Sequence, residues 1–181
     1  LEHARAVLGE SENNAIMWQI CGLASMQLGH FQAGLAALEQ TLQLSGDDAE
    51  LLNNIGIAKR RLGDLDGAID AYSKSIELSP GLAASHNNLA DAYMAQNRWE
   101  DAVTSFRTAL MIMPEDVSTR FNYANLLRDM GDTSDACSQY ANLIEQCPDD
   151  GEIKWNAALA HLAMGDWSKG FEYYESRFDL N

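Results

Sequence analysis

The sequence predicts an all-α fold, an α-solenoid built from stacked helix–turn–helix repeats. Pro80, Pro114 and Pro148 stand 34 residues apart. Gly29, Gly63, Gly131 and Gly165 fall on the same period, with Asn97 filling the missing place. Hydrophobic residues make up 46% of the 181, enough for a continuous core and too many for a disordered chain. A 34-residue period with glycine in mid-repeat and proline at its end marks a helix–turn–helix array. Each unit of such an array buries a face that it cannot cover alone.

The repeats run 15–48, 49–82, 83–116, 117–150 and 151–181. Residues 1–14 read as the second helix of a truncated preceding repeat, followed by a turn. All belong to one solenoid, and the chain reads as a piece of something longer. The third repeat is the clearest, with Leu89, Tyr93, Trp99, Ala102, Phe106, Ala109 and Pro114 at helical packing positions. The second carries Ile55, Gly56, Gly63, Ala68, Tyr72, Ile76 and Pro80, and the first Trp18, Gly22, Gly29, Phe31, Gly34 and Leu38. The fourth has Ala124, Gly131, Ala136, Tyr140, Ile144 and Pro148. The fifth has Ala158, Gly165, Trp167, Gly170 and Tyr174.

Gly34, Ala68, Ala102, Ala136 and Gly170 recur where the two helices of a repeat cross, and a larger side chain would force them apart. The mid-repeat glycines end the first helix in a left-handed turn, where asparagine is the next most tolerant residue. The prolines stop the second helix. Asp47–Asp48, Glu115–Asp116 and Asp149–Asp150 supply acidic caps for the helix that follows.

These residues resemble the tetratricopeptide-repeat family over nearly the whole chain. The resemblance implies a right-handed superhelix whose first helices line a concave inner groove. At 100° per residue, one side of each first helix packs inward and the other faces the groove. The expected lining includes Asn53, Arg60 and Arg61 from the second repeat, and Asn87, Asp91 and Met94 from the third. Phe121, Asn125, Arg128 and Asp129 come from the fourth, Glu152 and Trp155 from the fifth. Counting Glu50 as well, four acids and three arginines leave this lining near neutral, whereas the chain carries 27 acids against 12 bases, a net −15. The acidity therefore belongs to the outer surface, where it favours solubility. A mixed, near-neutral groove suits an extended peptide.

Asn54, Asn88, Asn122 and Asn156 repeat at 34 residues on the edge of that face. A carboxamide offers two donors and an acceptor, so it can pair with both N–H and C=O of a ligand backbone. It can equally bond to the neighbouring helix, and the sequence leaves both roles open. The ladder resembles the stacked asparagines in the superhelix of the peptide O-linked N-acetylglucosamine transferases, which grip a substrate backbone. Asn53-Asn54-Ile55-Gly56 and His86-Asn87-Asn88-Leu89-Ala90 look like that family's repeats too. Ile20 holds the equivalent position in the first repeat, so the ladder starts at Asn54. The dicarboxylate-clamp pattern of related repeats needs Lys and Asn on adjacent inner faces. Gln19, Leu23, Asn53, Ile57, Asn87 and Asp91 stand there instead.

The net charge repels phosphate backbones and anionic membranes, so neither nucleic acid nor membrane is expected as a partner. Cys21, Cys137 and Cys147 form neither a disulfide framework nor a metal pair, and read as reduced thiols of a cytoplasmic protein. His3, His30, His86 and His161 occur singly, and no catalytic or cofactor-binding motif appears. Asp64-Leu65-Asp66-Gly67 mimics the start of a calcium loop but lacks the later ligands, and reads as a turn and helix cap.

The sequence thus points to a non-enzymatic module, without cofactor or metal, that holds an extended segment of a partner protein. Asn54, Asn88, Asn122 and Asn156 would take the backbone, with selection by Phe121, Trp155, Met94, Arg60, Arg61 and Arg128. A second reading is the substrate-recognition part of a larger glycosyltransferase. The stretch Gly165–Glu175 looks like the last repeat before the catalytic domain of bacterial repeat-containing enzymes of that kind. Groove residues at the two ends are apolar (Ile16, Leu23 and Met26, then Trp155, Leu159 and Leu162), and Phe171, Tyr174 and Phe178 are expected on an uncapped last helix. Those ends predict end-to-end self-association, or a self-assembling scaffold.

Overall fold

The computed structural model describes residues 14–176, and within them ten α-helices and no strand. In chain order these are α1 (Ala15–Gln27), α2 (Phe31–Ser45), α3 (Ala49–Arg61), α4 (Leu65–Leu78) and α5 (Ala83–Ala95). They are followed by α6 (Trp99–Ile112), α7 (Val117–Met130), α8 (Thr133–Gln146), α9 (Gly151–Met164) and α10 (Trp167–Ser176). The helix expected near Leu1–Leu8, and Phe178, lie outside the described residues.

Local chemistry sets the helix boundaries. Asp48, Asp116 and Asp150 cap α3, α7 and α9, their carboxylates accepting backbone N–H bonds from Leu51 (2.8 Å), Thr119 (3.2 Å) and Glu152 (2.9 Å). Each satisfies one of the donors a helix start leaves unpaired. Asn14 does the same for α1, whereas α5 begins after Leu82 with no side-chain cap. Asp64 caps α4 through Gly67 N–H at 3.0 Å, and Asp66 accepts a bond from Gln96 at 2.6 Å, which assigns the Asp-Leu-Asp-Gly stretch to the cap and first turn of α4. The turns after α1, α3, α7 and α9 each place a glycine at φ between 77° and 88°, and Asn97 adopts 58°. In the first repeat Gly46, at φ 83°, stands where later repeats carry proline. Helix α2 consequently runs one residue further than α4, α6 or α8.

The chain forms two compact units, one through Gln96 and one from Asn97. In the first, α1 packs on α2 and α3 on α4, while α2 packs on α3 and α4 on α5. Its core gathers Leu38, Leu51, Ile55 and Ala71 around α2 and α3, then Ala68, Tyr72, Leu89 and Ala92 around α4 and α5. In the second unit, α7 packs on α8, α9 on α10, and α8 on α9, with α6 against α7. Phe106 meets Tyr123 at 6.1 Å between ring centres, and Tyr140, Leu126 and Leu143 are fully buried.

Close helix crossings depend on the small residues. A Cβ on Gly56 would lie 2.5 Å from the ring of Tyr72, which is fully buried and has no room to retreat. Trp167, read from the sequence as a packing residue, is instead 63% exposed and stacks on the exposed Phe171 at 6.5 Å. Tyr174, expected at the surface, is half-buried against Trp155 at 5.5 Å.

Gly56→Ala is expected to lower stability by about 1–3 kcal/mol through overpacking. Gly81→Ala, where an added Cβ meets open space, should stay within about 0.5 kcal/mol of the parent. Denaturant titration of both variants makes the comparison, and equal losses would contradict the packing account.

Candidate functional site

In the first unit, the surface of α1 and α3 forms an open cleft of about 560 Å³ lined by Leu23, Met26, Gln27, Gly29, Phe31, Asn54, Ile57 and Arg61. Its walls are mainly apolar. The Arg61 guanidinium sits 5.9 Å from the centre of the Phe31 ring, a cation–π distance that leaves the charge at the cleft edge. Asn54 is half-buried, and its carboxamide makes no hydrogen bond among the described residues. Both faces of an amide are thus available to a ligand.

Asn88, one repeat further on, differs. Its Nδ2 donates to Asn53 Oδ1 at 2.9 Å, tying α5 to α3. Asn53, expected to line the groove, is buried there. Ser75 Oγ donates its one proton to the Ala49 carbonyl at 2.6 Å and lies 2.7 Å from Ser85 Oγ. Ser85 must therefore donate to Ser75, and its longer 3.3 Å approach to Asn53 is secondary. Asn88 is left as the principal partner of a buried carbonyl.

Arg60 reaches from α3 to Asp91 on α5 at 3.5 Å. Burial raises the Asp91 carboxyl above its ordinary range, while Arg60 pulls it back. Arg60 also lies beside Tyr72, whose phenol burial pushes up to about 12 against the pull of that guanidinium. Met94 and Asn87 complete this face of α5, both half-buried.

The second unit repeats the arrangement with different partners. Arg128 on α7 donates to Asn156 Oδ1 on α9, to Asn125 Oδ1 at 3.3 Å and to Asp129 at 2.9 Å. Asn156 also donates to the Glu152 carbonyl at 2.8 Å, so its amide is engaged at both ends. Asn125 accepts the Tyr140 hydroxyl at 2.7 Å. Burial pushes the Tyr140 phenol up to about 12, opposed by Arg128. Phe121 packs edge-on against Tyr140 at 6.5 Å and borders a cleft of about 180 Å³ with Val117, Ser118, Asp150, Glu152 and Ile153. Asn122 is half-buried and, like Asn54, makes no side-chain hydrogen bond among the described residues.

Each unit therefore holds one engaged asparagine of the ladder and one with its amide open. Sequence periodicity shows four equivalent positions. The distinction arises from what neighbouring helices present to them: Asn53 to Asn88, and Arg128 to Asn156.

The described residues contain no group of three or more His, Cys, Asp or Glu placed to hold a metal ion, and no helix long and apolar enough to cross a membrane. Family models described as tetratricopeptide repeat match residues 47–115 and 121–177, well over half of the chain together. No curated protein sequence matches it. Among solved structures, two of the protein MamA are similar. One has a TM-score of 0.82 at 17% identity, covering 92% of this chain and 91% of that one. The other has 0.80 at 18% identity, covering 88% and 93%. YrrB, described as a tetratricopeptide protein with an unusual peptide-binding site, gives 0.78 at 18% identity, covering 98% of this chain and 92% of that one. At such identities the likeness is one of fold.

The two buried phenols make a pH prediction. Their folded values, about 12, exceed the ordinary 10.0, so the folded state holds these protons more tightly than the unfolded chain. The resulting stability is fully present below pH 10 and is lost as pH rises towards 12. Tyrosinate absorbance followed alongside far-UV circular dichroism should show Tyr72 and Tyr140 ionising only as helix is lost. Ionisation of all tyrosines near pH 10 with the helices intact would contradict it.

Proposed function

This chain belongs to the tetratricopeptide-repeat family, and on that footing we propose that it is a protein-interaction module that takes extended peptide segments on the inner faces of its first helices. The single observation that carries the reading is the α1–α3 cleft, where an apolar floor, an open carboxamide and a cation meet. Asn54 would pair with the peptide backbone, Leu23, Met26 and Ile57 would receive an apolar side chain, and Arg61 would select an acidic or carbonyl group. Asn122, beside Phe121 on α7, offers an open carboxamide in the second unit. Asn88 and Asn156 hold helices together instead. Arg60 and Arg128, engaged with Asp91 and with Asn125, Asn156 and Asp129, act chiefly as positioning residues. The free thiols Cys21, Cys137 and Cys147 suit a reducing compartment such as the cytoplasm.

Binding to a mixture of unstructured peptides tests the division of labour. Asn54→Ala and Asn122→Ala should each weaken binding by about two- to tenfold, the net worth of one hydrogen bond, with unchanged thermal stability. Asn88→Ala should cost about 1–3 kcal/mol of stability by leaving the Asn53 carbonyl without its principal donor. Undiminished peptide binding by the Asn54 and Asn122 variants would overturn the reading.

A further inference from the structure

The second unit carries another cleft, of about 480 Å³, between α6, α7 and the start of α8. Arg107, Leu110 and Met111 line it from α6, Arg120 and Tyr123 from α7, and Asp135 from α8. Arg120 and Tyr123 lie at helical angles well away from Phe121 and Asn125, so this is a different face of α7 from the one proposed above.

Its electrostatics run against those of the chain. The chain has 27 acids to 12 bases, yet two arginines meet in this cleft, and neither Arg107 nor Arg120 makes an ion pair among the described residues, although Asp135 shares the lining. Arg120 is held by two neutral oxygens, donating to Gln139 Oε1 at 2.9 Å and to the Pro114 carbonyl. Its position is fixed and its charge is not cancelled. Arg107 is exposed and can turn its guanidinium fork toward a ligand. The Tyr123 hydroxyl makes no hydrogen bond among the described residues. Burial raises that phenol, so it stays protonated as a donor at neutral pH. Ser138, also in the lining, spends its proton on the Ser134 carbonyl at 3.0 Å.

Two guanidinium groups and one carboxylate give the cleft a single net positive charge. Asp135 disfavours a dianion, and Leu110 with the exposed Met111 supplies an apolar wall. We infer that this cleft is a second ligand site, which takes one carboxylate of an acidic peptide through Arg107, Arg120 and Tyr123, with an adjoining apolar side chain against Leu110 and Met111. The site is independent of the α1–α3 cleft and stands or falls separately.

The test uses an acetylated, amidated peptide, Leu-Glu-Leu in sequence, its Leu-Gln-Leu counterpart, and inorganic phosphate, each titrated into the full chain and followed by amide chemical shifts. The glutamate peptide should shift Arg107, Tyr123 and Asp135 and leave Asn125 unmoved, with the glutamine peptide at least about tenfold weaker, as loss of a charge-assisted bond requires. Arg107→Ala, at an exposed position that leaves the fold intact, should weaken the glutamate peptide by a similar factor. Equal binding of the two peptides would overturn the assignment, as would an undiminished Arg107→Ala variant. Phosphate binding more tightly than the glutamate peptide would also overturn it.

Discussion

The close crossing of the two helices within a repeat is the constraint on which the rest depends. In the first unit a Cβ on Gly34 would come within 3.2 Å of the Gly22 carbonyl, and the Tyr72 ring lies directly over Gly56. In the second, Ala124 and Ala136 are fully buried, and Leu162 covers Gly170. Backbones this near leave no room for branched side chains, so large residues are displaced to the edges of each crossing. Tyr72 and Tyr140 fill that space and carry their hydroxyls toward the first-helix arginines Arg60 and Arg128. The packing rule thus reaches the candidate binding face through two buried phenols.

The same framework explains why equivalent positions acquire unequal roles. Asn125 accepts the Tyr140 hydroxyl, whereas the corresponding position one pair of repeats earlier is Ile57. The Tyr72 hydroxyl consequently finds no acceptor among the described residues. Freed of that duty, Ile57 instead contributes to the apolar floor beside Asn54. One substitution between repeats trades a structural hydrogen bond for an apolar stretch of cleft wall.

Much of the fold was legible because a 34-residue period is imposed by packing that every repeat must satisfy. Glycine, proline and the small crossing residues report backbone geometry directly, and each has a local cause. Gly46 stands outside that rule because it ends α2 at positive φ with an extended ψ where the later repeats use proline. The candidate site was legible only in outline. Helical periodicity gives the angle at which a side chain leaves its helix, and it placed Asn54, Arg61 and Leu23 on one surface. It carries nothing about the reach of the next helix. Asn53 is buried with its carbonyl held by Asn88 from the next repeat, and Asn156 is engaged because Arg128 is long enough to cross to it. The α6–α8 cleft is illegible for a related reason: the chain's overall acidity hides two arginines that make no ion pair among the described residues even with Asp135 in the same lining.

Two of the ladder asparagines hold neighbouring helices and two keep their amides open. Side-chain amide hydrogen exchange of Asn54, Asn88, Asn122 and Asn156, measured by NMR on the unliganded chain, tests that division most directly. Asn88 and Asn156 should exchange slowly, and Asn54 and Asn122 at the rate of a solvated carboxamide. Four equal rates, whether fast or slow, would contradict it.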